Sequence, residues 1–506
     1  MKVIFPIAGN SNDYTKEFNT KKELVKIDKY NFLQSVINIY DNKKISEILI
    51  ILKKNDFIKY NFKKILFSKN CKISFIISHI STANQIETLR LIKNKINKNE
   101  SVLIVNPDSF YKFTTSDFIS LKKIKADASI GYILPKFKKF LTGKKESFFS
   151  DREKVIKVQK RKDIDTITSN HITSGIYYFR KWKYISEYFQ KNYISKNRIT
   201  TAIGIYDFLI KNKKNIACFV TNNFVDLGTP KKLREYLFWK KYFNKKKHTN
   251  LKINKLQNII PSAGLGSRHK KLGYLKPKPF IKVSNKFMIE KSFENLPKGY
   301  KNIFIFRKKI VDNFKINKSK FQNIKDLEIV SIKNKTKGMA ITISRANKII
   351  NDDWPVIVSS CDFTCILNQY ELKKLINTHN PEAIIFTWKG YPYASESPFS
   401  HAYVNVKENF VRNISEKIPI SKTPDEDNAV TGMFYFKTGK IMKECTSHML
   451  KNKITVNGEY YTATSMLKIL RDNKNVMSFM VDQFISWSLP EHLETYVFWE
   501  KFFKDK

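Results

Sequence analysis

The sequence has few cysteines, and they do not form a recognisable pattern. Five cysteines are scattered over 506 residues. An odd and scattered set suits a reducing compartment and argues against a disulfide framework. Cys361 and Cys365 have the spacing of a metal-binding pair, but no second Cys or His pair lies nearby. We therefore expect no zinc site.

The sequence also lacks a long apolar run. No stretch approaches the roughly 20 apolar residues that a membrane-spanning helix needs. Residues 1–9 contain a single lysine and an apolar run that is too short for a secretory signal peptide. We interpret this segment as the first strand of a domain and expect a cytoplasmic protein.

Acidic residues are outnumbered by basic ones. There are 45 Asp and Glu against 93 Lys and Arg, which gives a formal charge of +48. Such a charge can attract nucleic acids and acidic membrane surfaces. However, the lysines are spread along the chain and accompany abundant Asn, Ile, Phe and Tyr, as an AT-rich genome would encode. We therefore expect no specific nucleic-acid partner, and at most a weak, non-specific attraction to nucleotides, sugar phosphates or a membrane surface.

What the sequence does contain is a repeat. Pro230 and Trp239 recur as Pro490 and Trp499, 260 residues later, within longer matching segments. Near the starts of the two copies, the Pro-x-Ala-Gly segment at residues 6–9 recurs 255 residues later. The chain therefore consists of two copies of one domain.

The copies are large enough to fold as separate domains. With 42% hydrophobic and 14% aromatic residues, the composition is that of a globular protein. Residues 244–257 are rich in Lys and Asn and lack apolar periodicity, which indicates a linker. We expect domains at 1–245 and 256–506.

Each copy alternates apolar runs of strand length with segments of helical spacing. Strands are predicted at 2–7, 45–52, 72–77 and 101–105 in the first copy and at 258–262, 302–306, 327–332 and 355–359 in the second. Helices are predicted at 32–40, 85–96, 288–296 and 339–349. This alternation predicts βαβ units. The fold class is therefore α/β, with two tandem Rossmann-like domains that each have a mainly parallel central sheet.

The second copy contains a glycine-rich segment that is followed by two cations. A predicted strand runs into Ala263 and the Gly264-Leu-Gly266-Ser-Arg268 turn, and about ten residues later Lys278 stands between two prolines. Backbone N–H groups of a glycine-rich turn can approach a phosphate closely, and Arg and Lys can neutralise its charge. The combination predicts a phosphate site.

These motifs resemble those of the nucleotidylyltransferase (pyrophosphorylase) superfamily, in particular the sugar nucleotidylyltransferases with a GT-A-like fold. That family has a Gly-x-Gly-x-Arg loop and a Pro-Lys-Pro element, and the resemblance covers both copies nearly end to end. It implies that an NTP reacts with a sugar 1-phosphate, that pyrophosphate leaves, and that Mg²⁺ bridges the phosphates. The chain also resembles tandem pyrophosphorylase-like proteins associated with bacterial capsule and surface polysaccharide synthesis.

The resemblance assigns roles to individual residues of the second copy, since further family elements follow in order. Arg268 and Lys278 would neutralise charge that develops on the triphosphate and the leaving group. The implied catalytic residues are Arg268 and Lys278, the nucleotide-binding residues Ala263, Gly264, Gly266 and Gly338, the sugar-phosphate-binding residues Lys417, Gly432 and Glu459, and the metal ligand Asp362.

Each of these residues also has a purely structural interpretation. Gly264 and Gly266 can be turn glycines, Asp362 can cap the next element, and Gly432 can serve packing alone. Lys417 and Glu459 belong to short motifs of common residue types.

The first copy departs from the family pattern at several positions. A carboxylate in place of the clamping arginine would repel a triphosphate. The replaced positions are Ser11 opposite Gly266, Asp13 opposite Arg268, Asn84 opposite Gly338 and Ile199 near Glu459. The retained positions are Lys22 opposite Lys278, Asp108 opposite Asp362, Lys160 opposite Lys417, Gly175 opposite Gly432, and Asp226, which resembles the family's second metal-binding Asp.

The second copy lacks that second acid. Ser486 stands in its place, and the spacing of Asp482, four residues upstream, argues against a substitution. Because magnesium keeps several waters and often uses only one or two carboxylates, the loss is tolerable. We expect catalysis in the second copy, and a degenerate first copy that stabilises the protein, binds the acceptor or uses a different substrate.

Two other functions remain open. A nucleotide-binding pseudoenzyme or scaffold would explain damage in both copies. A GT-A glycosyltransferase would need an Asp-x-Asp at the strand end, and residues 106–108 and 360–362 do not supply one. The sequence leaves open the base, the acceptor and the oligomeric state.

Overall fold

The structure is a computed structural model of the chain. It describes residues 1–9, 12–27, 29–111, 113–123, 125–134, 141, 144–191, 201–221, 223–245 and 253–504. The chain divides into two units, Met1–Leu237 and Phe238–Lys506. The division falls inside the helix Pro230–Asn244. Half of the predicted linker, residues 246–252, lies outside the described residues.

The first unit alternates strands and helices along the chain. Its strands are β1 Lys2–Pro6, β2 Lys26–Ile27, β3 Tyr30–Asn31, β4 Glu47–Lys53, β5 Lys72–Ser78, β6 Val102–Val105, β7 Ser109–Phe110, β8 Ala128–Ile133, β9 Lys144–Asp151, β10 Lys154–Asp163, β11 His171–Phe179, β12 Ile216–Val220 and β13 Val225–Asp226. Its helices are α1 Asn12–Phe18, α2 Phe32–Tyr40, α3 Lys54–Tyr60, α4 Phe62–Ile65, α5 Gln85–Arg90, α6 Thr115–Lys123, α7 Lys183–Gln190, α8 Ile203–Lys211 and α9 Pro230–Asn244.

The second unit repeats this order of elements. Its strands are β14 Gln257–Pro261, β15 Lys282–Val283, β16 Lys286–Phe287, β17 Lys301–Arg307, β18 Leu327–Ile332, β19 Val356–Ser359, β20 Phe363–Ile366, β21 Ala383–Trp388, β22 Ala402–Lys407, β23 Phe410–Glu416, β24 Asn428–Phe436, β25 Val476–Met480 and β26 Gln483–Ser486. Its helices are α10 Ser267–Lys271, α11 Met288–Phe293, α12 Lys308–Asn313, α13 Met339–Ser344, α14 Gln369–His379, α15 Gly439–Lys451, α16 Thr462–Ser465, α17 Leu467–Arg471 and α18 Pro490–Lys504.

Each unit is built on one large sheet. In the described residues its order is β5-β4-β1-β6-β11-β8-β12-β10-β9 in the first unit and β18-β17-β14-β19-β24-β21-β25-β23-β22 in the second. The first four strands of each order run parallel, as do β8 with β12 and β21 with β25. β11 and β24 are antiparallel to both of their neighbours in the sheet. β10 and β23 are also antiparallel to their neighbours. The predicted α/β fold with two repeated domains is confirmed, and these antiparallel strands make each sheet mixed.

The sheets form the cores because their central strands are continuously apolar. Val102–Val105 and Val356–Ser359 are buried at every position. Strands covered on both faces have such runs instead of alternation. Among the described residues, none of the helices combines the length and apolarity needed to cross a membrane.

The helices predicted at 85–96 and 339–349 are shorter than expected. They end at Arg90 and Ser344, and the chain continues in turns whose N–H groups bond three residues back. Apolar side chains along these turns, such as Ile92, are nevertheless buried. The helical spacing in the sequence therefore reflects burial on one side and not a continuous α-helix.

Candidate active site

A cleft of about 550 Å³ opens in the second unit. It lies beyond the carboxyl ends of the parallel strands β14 and β19, where open α/β sheets bind ligands. The predicted residues that line it are Gly264, Gly266, Arg268, Lys278, Asp362, Lys417 and Gly432. In the described chain, Ala263, Gly338 and Glu459 are not among its lining residues.

The glycine-rich loop connects β14 to the short helix α10. Gly266 precedes α10 with φ +62°, and a β-carbon there would stand 3.0 Å from Cβ of Lys278. A glycine is therefore favoured by the backbone conformation and by the nearby side chain. Gly264 has no such requirement, because a β-carbon there would meet nothing within 4 Å. The space beside Gly264 is therefore open. Arg268 is exposed at the end of the same loop.

Lys278 and Asp362 form an ion pair in the cleft. The Lys278 ammonium donates to one carboxylate oxygen of Asp362, and the Ser360 hydroxyl donates to the other. Burial by itself would raise the pKa of Asp362, but the Lys278 charge and these hydrogen bonds outweigh burial and hold the pKa below its usual value. Asp362 is therefore ionised at neutral pH.

Ser486 lies beside this acid in the neighbouring strand. β20 and β26 pair antiparallel, so that Ser486 stands opposite Phe363. The Ser486 side chain is buried and lies 2.8 Å from the Ser488 hydroxyl. The second unit thus offers hydroxyl groups where the family pattern has a carboxylate.

Asp482 cannot replace the missing acid. It precedes β26, beyond the end of the strand opposite to Ser486, and its N–H bonds the carbonyl of Ile366 at 2.9 Å. Four residues of extended chain span about 13 Å. The Asp482 carboxylate instead pairs with Lys245 at 2.6 Å.

Lys417 lies on another side of the cleft. Its backbone has φ +67°, and its N–H donates to the His401 carbonyl at 3.0 Å. Its ammonium donates to the Ser400 carbonyl and lies 5.2 Å from the centre of the Tyr461 ring. Burial lowers the pKa of Lys417, although the carboxylate of Glu416 opposes this effect. The amino group is thus held in place by a carbonyl and a ring face.

Glu416, next to Lys417, was not among the predicted site residues, although it belongs to the same short motif. Burial raises its pKa to about 7, and the Thr464 hydroxyl lies 3.3 Å from its carboxylate. His401 also lines the cleft, and burial with the nearby Lys417 charge lowers its pKa to about 4. Sequence spacing gave no signal for His401, because it is brought to the site by β22.

Gly338 has a structural role in this conformation. Its φ is +114°, and a β-carbon would lie 2.4 Å from the carbonyl oxygen of Tyr460. The next residue, Met339, lines the cleft. Glu459 is exposed and accepts a hydrogen bond from the Tyr461 hydroxyl at 2.8 Å. Gly338 and Glu459 therefore lie outside the cleft surface, next to residues that form it.

Gly432 and Gly175 occupy matching positions in the two units. The Gly432 carbonyl accepts from Ser360 N–H at 3.1 Å, and the Gly175 carbonyl accepts from Asn106 N–H at 2.9 Å. Both glycines have positive φ, +92° and +79°. Asn84 begins α5 as Gly338 begins α13, but it caps the helix with its side chain.

The first unit retains the predicted acids in ion pairs. The Lys22 ammonium lies 3.9 Å from Asp108, and the buried Asp226 bonds the Lys145 ammonium. Ser11 and Ile199 lie outside the described residues, and so does the side chain of Asp13.

The predicted correspondence of Lys160 with Lys417 falls on an irregular stretch of strand pairing. The register of β9 with β10 pairs Ser147 with Gln159, and the corresponding pair in β22 and β23 is Tyr403 with Ser415. Beyond this pair the register of β9 with β10 shifts between Gln159 and Lys162, so it does not identify the counterpart of Lys417, and the assignment of Lys160 stays a prediction. The segments between the start of each copy and these strands differ in length. A count along the sequence therefore does not give the register of the strands.

In the described residues, no group of three or more His, Cys, Asp and Glu side chains is placed to hold a metal ion. Any cation in the second unit must therefore take many of its ligands from a substrate or from water. Asp362 is the ionised carboxylate that the cleft offers next to the glycine-rich loop.

Several solved structures each align with about half of this chain. A nucleoside-diphosphate-sugar pyrophosphorylase from Vibrio cholerae RC9 is 18% identical, with 47% of this chain and 99% of that chain covered and a TM-score of 0.39. A putative glucose-1-phosphate thymidylyltransferase from Bacillus anthracis is 15% identical, with 48% of this chain and 93% of that chain covered and a TM-score of 0.38. The inositol-1-phosphate CTP transferase from T. maritima is 15% identical, with 50% of this chain and 97% of that chain covered and a TM-score of 0.37.

No curated protein matches the sequence. The family model described as Nucleotidyl transferase matches residues 257–488. The match is just under half of the chain, begins with β14 and ends two residues after β26, and contains the whole cleft described above. The second unit thus carries a domain that matches the nucleotidyl transferase family.

Proposed function

We propose that the second unit transfers a nucleotidyl group from an NTP to a sugar 1-phosphate or a related phosphate and releases pyrophosphate. The main observation is that one cleft brings together the glycine-rich loop, the Arg268 and Lys278 cations, and the separately held cation Lys417. Two groups of positive charge in one cleft suit two anionic substrates that must approach each other despite their like charge.

In this reaction an oxygen of the acceptor phosphate attacks the α-phosphorus of the NTP. The bond from that phosphorus to the oxygen bridging to the β-phosphate breaks, and pyrophosphate leaves with the bonding electrons. Arg268 and Lys278 neutralise the charge that grows on the departing pyrophosphate. Such preorganised charge is usually the largest contribution that an enzyme makes to this class of chemistry.

Lys417 holds the acceptor phosphate in this proposal. Its ammonium is already fixed by the Ser400 carbonyl and the Tyr461 ring, so that little side-chain freedom is lost on binding. Glu416 beside it, and Tyr461 with Glu459 at the rim, offer hydrogen-bonding groups to acceptor hydroxyls.

The donors suit a magnesium ion that arrives with the nucleotide. Asp362 offers an ionised, hard carboxylate oxygen, while Ser486 and Ser488 offer neutral hydroxyls. Magnesium commonly keeps several waters and binds through one or two carboxylates together with substrate phosphates. Bound at Asp362, the ion would add positive charge at the phosphates.

We also propose a cellular role. The sequence resemblance to tandem pyrophosphorylase-like proteins points to a cytoplasmic enzyme that makes an activated precursor for a bacterial capsule or surface polysaccharide. The base and the acceptor are to be identified by experiment.

One observation favours a second function. Since Ser486 replaces a carboxylate, the second unit has fewer metal-binding groups than the family pattern, and it could bind nucleotide without turning it over. A non-catalytic nucleotide-binding protein is therefore the alternative.

Pyrophosphate release separates the two. The purified full chain is assayed with each of the four common NTPs, Mg²⁺ and a panel of sugar 1-phosphates, beside Arg268→Ala. We expect release with one NTP and one class of acceptor, and its loss in Arg268→Ala. Stabilisation by an NTP in a thermal melt without release from any pair would support the alternative.

A further inference from the structure

The first unit contains two carboxylates that face one point. A β-carbon placed on Gly228 would stand 3.1 Å from Oδ1 of Asp226 and 3.6 Å from Oδ2 of Asp108. β7 and β13 pair antiparallel and bring the two acids together, since Ser109 stands opposite Asp226. The Asp226 side chain is only 4% exposed. The Asp108 side chain is 38% exposed, so it is the buried Asp226 carboxylate that needs a cation beside it.

That cation is supplied by the chain itself. The Lys145 ammonium donates to Oδ2 of Asp226, while the other oxygen accepts from Gly228 N–H at 3.0 Å. The same ammonium acts on Asp108. Burial would raise the pKa of Asp108, but the charges of Lys22 and Lys145 together lower it. Lys22 lies 3.9 Å from Asp108, so that each acid has an ammonium neighbour.

The second unit lacks both members of the buried pair. Phe148 of β9 stands opposite His171, four residues before Gly175, and Val404 of β22 stands opposite Asn428, four residues before Gly432. The two strands are therefore in the same register.

Three residues before Phe148 and Val404 are Lys145 and His401, which therefore occupy equivalent positions in the two units. Ser486 is the counterpart of Asp226. The carboxylate and the lysine are thus present together in the first unit and replaced together in the second, as expected if each is retained for the other.

The first unit also has a larger side chain at a position that lines the cleft of the second unit. Glu146, which follows Lys145, is the counterpart of the small residue Ala402. The Glu146 side chain is 5% exposed, accepts from the Tyr177 and Thr201 hydroxyls, and lies 3.8 Å from Arg161. A buried and hydrogen-bonded carboxylate thus stands where the second unit has a methyl group.

We propose that the first unit contains a cation site in which the Lys145 ammonium takes the place of a divalent metal ion, so that this unit binds no Mg²⁺. Lys22 corresponds to Lys278, so both units have an ammonium beside the first acid, whereas Lys145 is present in the first unit alone. A divalent ion at Asp108 and Asp226 would displace the Lys145 ammonium as well and leave it beside a double positive charge. Like charges at such distances strongly disfavour one another in a partly buried site. The two units thus differ in their use of metal.

The experiment uses Mn²⁺ as the probe and full-length protein that carries Asp362→Asn, which removes the carboxylate of the second unit. Bound Mn²⁺ is counted from the electron paramagnetic resonance signal of the free ion, without nucleotide. We expect no stoichiometric site in this background, one added Mn²⁺ per chain when Lys145→Ala is included, and loss of the gained site when Asp226→Asn is added. Lys145→Gln is a second variant, in case Lys145→Ala does not fold.

Two results would overturn the proposal. One is a stoichiometric Mn²⁺ site that is present with Lys145 intact and is removed by Asp226→Asn. The other is the absence of any gained site in Lys145 variants that keep the circular dichroism spectrum and melting temperature of the background protein.

Discussion

At the scale of the residue, two cations of the second unit's cleft are held by groups of the chain. Lys278 pairs with Asp362, and the Lys417 ammonium donates to the Ser400 carbonyl. Arg268 is exposed at the mouth. A cleft that is internally paired in this way can exchange a protein partner for a substrate phosphate, which costs less than creating an unpaired buried charge.

Replacement of Lys417 should affect one substrate and spare the other. Lys417→Met keeps the length of the side chain and removes its charge. If Lys417 holds the acceptor phosphate, the KM for the acceptor rises by about 10- to 100-fold, the value of a hydrogen bond to a charged group. The KM for the NTP changes little. Initial rates with each substrate varied in turn measure both constants, and an equal rise in both would contradict the assignment.

The matched control for this variant is Arg161→Met in the first unit. Arg161 follows Lys160 and pairs with Glu146. If the chemistry takes place in the second unit, this variant leaves both KM values unchanged.

Glu416 gives the cleft a pH dependence near neutrality. Burial raises its pKa from 4.5 to about 7, so the folded protein binds more protons than the unfolded chain between these values. Stability supplied by this protonated group is lost as the pH rises through about 7. Relative to that of Glu416→Gln, the free energy of unfolding of the wild type should fall by at most about 3 kcal/mol between pH 5 and pH 8.

Unfolding in urea at several pH values measures this difference. A difference between wild type and Glu416→Gln that does not change with pH would contradict the raised pKa. His401 acts with the opposite sign, because its folded pKa of about 4 lies below the usual 6.5 and the unfolded chain therefore binds more protons up to about pH 6.5. Both proteins contain His401, so its contribution cancels in the comparison with Glu416→Gln.

Single residues also show where sequence reasoning stops. A glycine at 338 predicts an unusual φ or a close approach, and the structure has both. That the approaching atoms belong to Tyr460, more than 100 residues away, could not be read from the sequence. The ion pair of Lys145 with Asp226 joins residues 81 apart and carries no local pattern.

At the scale of the element, strands were predicted better than helices. Buried strands such as Val356–Ser359 are marked by short, unbroken apolar runs between turns, a pattern that is typical of strands covered on both faces. The helix predicted at 32–40 has the bounds that the structure gives. The helices predicted at 85–96 and 339–349 are shorter, because apolar residues at helical spacing can also be buried against the sheet when the backbone continues as turns. The antiparallel strands β11 and β24 could not be oriented from sequence, since pairing direction depends on tertiary contacts.

The short strand β26 places Ser486, and not Asp482, beside Asp362. Ser486 stands beside the strand that follows Asp362, while Asp482 lies beyond the far end of β26. Ser486→Asp should therefore place a second carboxylate near the first. Without metal, the two like charges lower the melting temperature, and added Mg²⁺ reverses the loss.

The control for this prediction is Asp482→Ala, which should leave the effect of Mg²⁺ on the melting temperature as it is in the wild type. Thermal melts in EDTA and in Mg²⁺ measure both variants. A Ser486→Asp protein that melts at the same temperature with and without Mg²⁺ would contradict the placement.

At the scale of the whole molecule, the duplication visible in the sequence is the duplication of the fold. Both units have the same strand order. Their sites have diverged in opposite directions. The second unit retains the glycine-rich loop and lacks one carboxylate, whereas the first retains both carboxylates and neutralises them with lysines. The shared fold was predictable because core patterns persist, and the difference between the sites was only partly so, since it depends on side chains that meet across the sheet.

The chemistry is assigned to the second unit, and matched variants at equivalent positions of the two units test this assignment. Pyrophosphate release is measured for Asp362→Asn and for Asp108→Asn in the full-length protein with the same NTP, acceptor and Mg²⁺. We expect Asp362→Asn to lose about 100-fold or more in kcat, the order of a removed charge-stabilising group, and Asp108→Asn to retain the wild-type rate. Loss of release in Asp108→Asn with retention in Asp362→Asn would place the reaction in the first unit and contradict the assignment.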